Sequence, residues 1–141
     1  MNIRVLIGLS ALCLLVSVES GARAEEVVAV VSSKSPVTSL SAAQVADIFL
    51  GKTSRFPDGS QAVPIDQPED SPERDRFYAQ YTGKSPAQVK AHWSKIIFTG
   101  RGQPPAQAAN GAEVKKMIAQ NPSAIGYIDP TLVDDSVRVV K

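Results

Sequence analysis

A β-branched apolar run, EVVAVV at residues 26–31, gives way after a serine-rich stretch to a complete helix start, and this strand-then-helix pairing constrains the fold more than any other feature of the chain. The run has strand length and does not alternate, which predicts a buried first strand ending at Ser32, Ser33 and Ser35. Ser41 then offers a hydroxyl as N-cap, and Gln44 stands three residues on to complete a capping box. Leu40 faces Val45 as a hydrophobic staple. Val45, Ile48 and Phe49 recur at helical spacing, so the helix has one buried face before Gly51 closes it.

The same grammar continues along the chain. Pro57, Asp58 and Gly59 mark a turn, and residues 62–65 read as a short strand that Pro64 assigns to a sheet edge or to a strand end. Ser71 as N-cap and Pro72 at the first helical position start a helix that carries Phe77, Tyr78 and Tyr81 and stops at Gly83. Ser85, Pro86 and Gln88 start another, with Val89, Trp93, Ile96 and Ile97 as its apolar stripe and Trp93 in the core. FTGRGQPP, residues 98–105, is a loop, because two glycines and two prolines exclude regular structure. Asn110 and Glu113 open a last helix, with Val114, Met117 and Ile118 buried and Asn121 and Pro122 ending it, and strands follow at residues 124–128 and 136–140. This order predicts an α/β domain with a small mixed β-sheet flanked by helices.

Residues 1–24 have the pattern of a cleaved secretion signal: Arg4 leads, residues 5–18 are apolar, and Ala22, Arg23 and Ala24 form an A-x-A site. The apolar run falls short of the ~20 residues of a spanning helix. Residues 25–141 then suit a single domain with its own core and are too few for two full lobes. Cys13, the one cysteine, leaves with the signal, so no disulfide, thiol nucleophile or thiolate ligand is expected in the exported chain. Cleavage also removes Arg4, Arg23 and Glu19, and the 15 basic and 14 acidic residues become 13 of each. A neutral domain without a basic cluster is not expected to bind nucleic acid.

One histidine, His92, supplies no usual zinc set, so neither a metal nor a cofactor is expected. Asp66, Glu69, Asp70 and Glu73 have no nucleophile or metal among them, and the chain does not read as an enzyme. The chemistry the residues do suggest is anion binding. A strand that ends in a polar turn and enters a helix presents unpaired N–H groups at the positive end of the helix dipole. That point is Ser71, whose hydroxyl can donate, with Arg74 and Arg76 available for charge-assisted bonds to oxyanions. The same residues read equally as a plain N-cap, with Glu69, Asp70 and Glu73 neutralising the dipole. Gly100, Arg101 and Gly102 form a second candidate, since glycines permit close backbone approach to an anion, and also read as a surface connection.

Three phrases in fixed order, VADIFLGK at 45–52, DQPEDSPERDRFY at 66–78 and AIGYID at 124–129, make the chain resemble the periplasmic phosphate-binding proteins of ABC transporters. The resemblance implies one lobe of a type II periplasmic binding protein over about residues 26–129, and an exported solute-binding-like protein of the periplasm. It also implies a phosphate-like anion at the helix N-terminus and a membrane transporter or sensor as partner. The family's turn reads roughly arginine, any residue, aspartate, glycine, serine, glycine, threonine. Ser71 stands for its serine and Glu69 for its acid, while Gln67, Pro72 and Glu73 replace the arginine, second glycine and threonine. The implied ligand-binding set is Gln67, Glu69, Ser71, Glu73, Arg74, Arg76 and Arg101. The alternative expectation is a non-catalytic accessory module of a transporter or sensor that has lost phosphate binding. Its exposed lobe face, near Phe56, Tyr78 and Phe98, would then meet a partner or a second copy of the chain.

Overall fold

The opening pair forms as β1 (Val28–Ser32) and α1 (Ala42–Phe49) in the computed structural model, which describes residues 26–141. The expected signal segment 1–24, with Cys13, lies outside the described residues. The capping box at α1 is complete: Gln44 N donates to Ser41 Oγ at 3.1 Å and Ser41 N to Gln44 Oε1 at 2.8 Å. The chain continues through β2 (Val63–Asp66), α2 (Pro72–Thr82), α3 (Pro86–Phe98), β3 (Ala106–Gln107), α4 (Gly111–Gln120), β4 (Ala124–Ile128), a single 3-10 turn (Pro130–Leu132) and β5 (Val137–Val139). Ser71, Ser85 and Asn110 are the N-caps of α2, α3 and α4, each side-chain oxygen accepting from the backbone N–H three residues on. Among the described residues no helix is long and apolar enough to cross a membrane.

The five strands form one mixed sheet in the order β3-β2-β4-β1-β5. β3, β2 and β4 run parallel, and β1 lies antiparallel to both β4 and β5. Strand side chains alternate between faces. Ala29 and Val31 of β1, with Ile125 and Tyr127 of β4, face a core built with Val45, Phe49, Phe77, Val89 and Trp93 of α1, α2 and α3. Val30, Ala124 and Ile128 face the opposite way, onto Val114 and Ile118 of α4. The sheet is thus covered on both sides, which is why β1 and β4 are almost wholly apolar and carry no polar-out pattern.

The placement of Pro64 at a sheet edge needs correction, because β2 pairs on both sides. Val63 N donates to Ser123 O beside β4, whereas Asp66 O accepts from Ala108 N on the β3 side. Pro64 has the parity of Asp66, and pairing with β3 begins only at Ile65. Its missing N–H therefore faces a stretch where no neighbouring strand needs a donor.

Gly126, in the middle of β4, sets how closely α4 can approach the sheet. A Cβ there would lie 2.6 Å from Val114 Cγ1 and 3.2 Å from Ile118 Cδ1. Gly126→Ala should therefore destabilise the domain by about 1–3 kcal/mol through overpacking. Urea denaturation checks this; an unchanged midpoint would mean α4 moves aside at no cost.

Candidate functional site

Asp66, the last residue of β2, is only 2% exposed, and the chain surrounds it with donors. Tyr78 of α2 donates to Asp66 Oδ2 at 2.6 Å, Tyr127 of β4 donates to Oδ1, and Gln67 N reaches Oδ1 at 2.8 Å. Arg74 Nε lies 3.4 Å from Oδ1, and its guanidinium sits 5.0 Å from the centre of the Tyr78 ring. Burial, and then the Asp66 charge, push the Tyr78 and Tyr127 phenols far above the ordinary tyrosine value, so both stay protonated donors. This network ties the end of β2 to the start of α2 and fixes the turn between them.

The turn itself is closed by Gln67, also buried. Its Nε2 donates to Tyr127 O at 3.1 Å and to Glu73 Oε2 at 2.9 Å, and its Oε1 accepts from Ser71 Oγ at 3.0 Å. Beyond these groups opens a pocket of about 420 Å³. Gln67, Asp70, Ser71, Glu73 and Arg76 form one wall, and Asn110 and Gly111 at the start of α4 form the other. The N-termini of two helices therefore meet here, beyond the carboxyl ends of the parallel strands β2 and β3, where open α/β sheets usually hold ligands. Arg76 also acts on Asp129, whose carboxyl is held below the usual range first by Thr131 hydrogen bonds and then by the Arg76 charge.

The seven candidate residues do not form one cluster. Gln67, Ser71, Glu73 and Arg76 line this pocket together. Arg74 turns away into the Asp66 network and, with Glu69 and Lys90, lines a separate hollow of about 160 Å³. Arg101 borders a third pocket at the amino ends of β2 and β3, beside Val63, Trp93 and Ala106. Its residues are not those of the Ser71 pocket, and the sheet separates the two ends. Phe56 and Tyr78, expected near an exposed lobe face, are 3% and 1% exposed and belong to the core, while Phe98 alone of the three stands in solvent. His92 Nε2 is 2.8 Å from Leu50 O, a tie between α3 and the end of α1. Among the described residues no group of three or more histidine, cysteine or carboxylate side chains is arranged to hold a metal ion.

Sequence reasoning missed two features of the site. Asn110 was legible as a helix start, but neither it nor Gly111 as the second wall, because that requires β3 to lie beside β2. Tyr127 was legible only as part of AIGYID; its position three residues into a buried strand gave no sign that its hydroxyl meets Asp66.

Comparison with known proteins bears on this geometry. The sequence matches no protein-family model and no curated protein. Solved structures do match. A protein assigned as a phosphate ABC transporter substrate-binding protein, from Clostridium perfringens and solved with bound phosphate, superposes with a TM-score of 0.64 at 25% identity, over 82% of this chain and 44% of that one. An ABC-type phosphate transport receptor from Vibrio cholerae gives 0.65 at 21% identity, over 82% and 45%. The fold is phosphate-binding-protein-like. PstS from Borrelia burgdorferi adds a third likeness of fold, with a TM-score of 0.59 at 13% identity over 82% and 46% of the two chains. The chain spans less than half the length of these structures.

Proposed function

We propose that the protein is an exported solute-binding-like protein that holds a small phosphate-like anion in the pocket between the N-termini of α2 and α4, and that it serves a membrane transporter. The observation that carries this reading is the convergence of two helix starts and Arg76 on one cavity. Each helix end has the effect of roughly half a positive charge. Ser71 and Asn110 satisfy one first-turn N–H apiece, at Arg74 and Glu113, and the turns have further donors to offer an oxyanion. Arg76 supplies the full charge that makes such a bond strong. The likeness of fold to phosphate-binding proteins supports the ligand class, and the signal-like segment 1–24 supports export.

Calorimetric titration of residues 25–141 with phosphate, sulfate and acetate tests the reading. The expected result is binding of phosphate or sulfate, weakened about tenfold or more by Arg76→Ala, the loss of one charge-assisted hydrogen bond. No heat from a folded protein would remove the reading. Loss of binding with Arg101→Ala in place of Arg76→Ala would move the site to the other end of the sheet.

A further inference from the structure

The pocket already contains an anion of its own. Glu73 Oε2 accepts from Gln67 Nε2 at 2.9 Å, and it lies 3.1 Å from the point a Cβ on Gly111 would occupy. The carboxylate thus spans from the first turn of α2 to the first residue of α4, bringing a full negative charge to the place where the two positive helix ends meet. The side chains of Gln67 and Ser71 beside it are engaged within the chain. Gln67 Nε2 serves Glu73 and Tyr127, Gln67 Oε1 takes the proton of Ser71, and Ser71 Oγ accepts from Arg74 N at 3.3 Å.

We infer that Glu73 sets the anion affinity of this pocket as a tethered competitor, whose carboxylate an incoming anion must displace. The inference rests on the anion-binding reading of the same pocket. Two like charges cannot share the seat at low cost, because they repel at short range and both draw on Gln67 Nε2. When the carboxylate leaves, Gln67 Nε2 and the space beside Gly111 become available to the ligand. Competition from a tethered group differs from competition by a dissolved one in that it cannot be diluted.

The test is calorimetric titration with inorganic phosphate of residues 25–141 as wild type, as Glu73→Gln and as Glu113→Gln. Glu73→Gln removes the charge but keeps an oxygen that can accept from Gln67. Glu113 is an exposed acid in the first turn of α4 and does not line the pocket, so its replacement controls for a general change of charge near the helix end. The expected result is that Glu73→Gln tightens binding by at least about tenfold, which is about 1.4 kcal/mol, while Glu113→Gln changes it by less than about threefold. Equal or weaker binding by Glu73→Gln overturns the inference, as does equal tightening by Glu113→Gln. Binding by Glu73→Gln alone would uphold the inference and remove the anion-binding reading of the wild type. Binding by the wild type that weakens in Glu73→Gln would do the reverse, and silence from all three proteins would remove both. If Glu73→Gln does not fold, NMR of the wild type decides. The Gln67 side-chain amide resonances should move on saturation with phosphate, and a Gly111 amide that moves while they stay still overturns the inference.

Discussion

Asp66→Ala is expected to cost the domain about 3–5 kcal/mol, a large share of the stability of a chain this size. The variant leaves Arg74 buried without its carboxylate, takes the acceptor from two phenol hydroxyls, and removes one bond from Gln67 N. None of these groups can turn to water without opening the junction of β2, α2 and β4, since Tyr78, Gln67 and Tyr127 are all about 2% exposed or less. Gln67 N has a second partner in Tyr127 Oη at 3.2 Å, so the larger penalties come from the guanidinium and the phenols. Asp66→Asn keeps one acceptor and should recover part of the loss, leaving about 1–3 kcal/mol. Urea denaturation of both variants measures the difference. A loss below about 1 kcal/mol for Asp66→Ala would mean that water replaces the carboxylate and that the network does not clamp the junction of β2, α2 and β4.

Phe77→Ala should be comparably severe, at about 3–5 kcal/mol, for a reason of packing and not of charge. Phe77 is fully buried and stacks on Tyr127 with centroids 4.0 Å apart and planes 6° from parallel. It also meets Phe49 at 4.6 Å, Tyr81 at 4.9 Å and Tyr78 at 5.2 Å, so one ring joins α1, α2 and β4. Removing it leaves a cavity lined by rings that cannot collapse without moving the backbone. Because Tyr127 also donates to Asp66, the two effects should couple. A double-mutant cycle of Phe77→Ala with Asp66→Ala is expected to depart from additivity by about 0.5 kcal/mol or more, and strict additivity would separate the aromatic core from the polar clamp.

What could be read in the sequence followed from how local the chemistry is. Four helix starts were legible because a cap is settled within four residues, and Ser41, Ser71, Ser85 and Asn110 each accept from the N–H three positions on. The buried strands β1 and β4 were legible as apolar runs. β3 was not, because Ala106 and Gln107 are exposed and follow two prolines; their strand geometry comes entirely from pairing with Ile65 and Asp66. Pro64 misled for a related reason, as an interior strand can hold a proline where its neighbour has not yet begun.

The site divides in the same way. Gln67, Ser71, Glu73 and Arg76 lie within ten residues around one helix start, so their nearness is set largely by the local chain. Arg74 illustrates the limit. Two residues from Arg76 on the same helix, it faces the core because Asp66 and the Tyr78 ring are there to receive it. Only the packing of α2 on the sheet decides which arginine faces the pocket. Arg101 fits the chemistry of an anion site as well as Arg76 does, and the order of the strands assigns it to the opposite end.

The central claim is that a small anion sits between the starts of α2 and α4, and mapping backbone amide shifts by NMR during phosphate titration of residues 25–141 tests it most directly. The account predicts saturable shifts at Glu73, Gly111 and Ala112, with Gly100, Arg101 and Gly102 unmoved. Shifts confined to the Gly100–Gly102 loop, or no saturable shift anywhere in the folded protein, would contradict it.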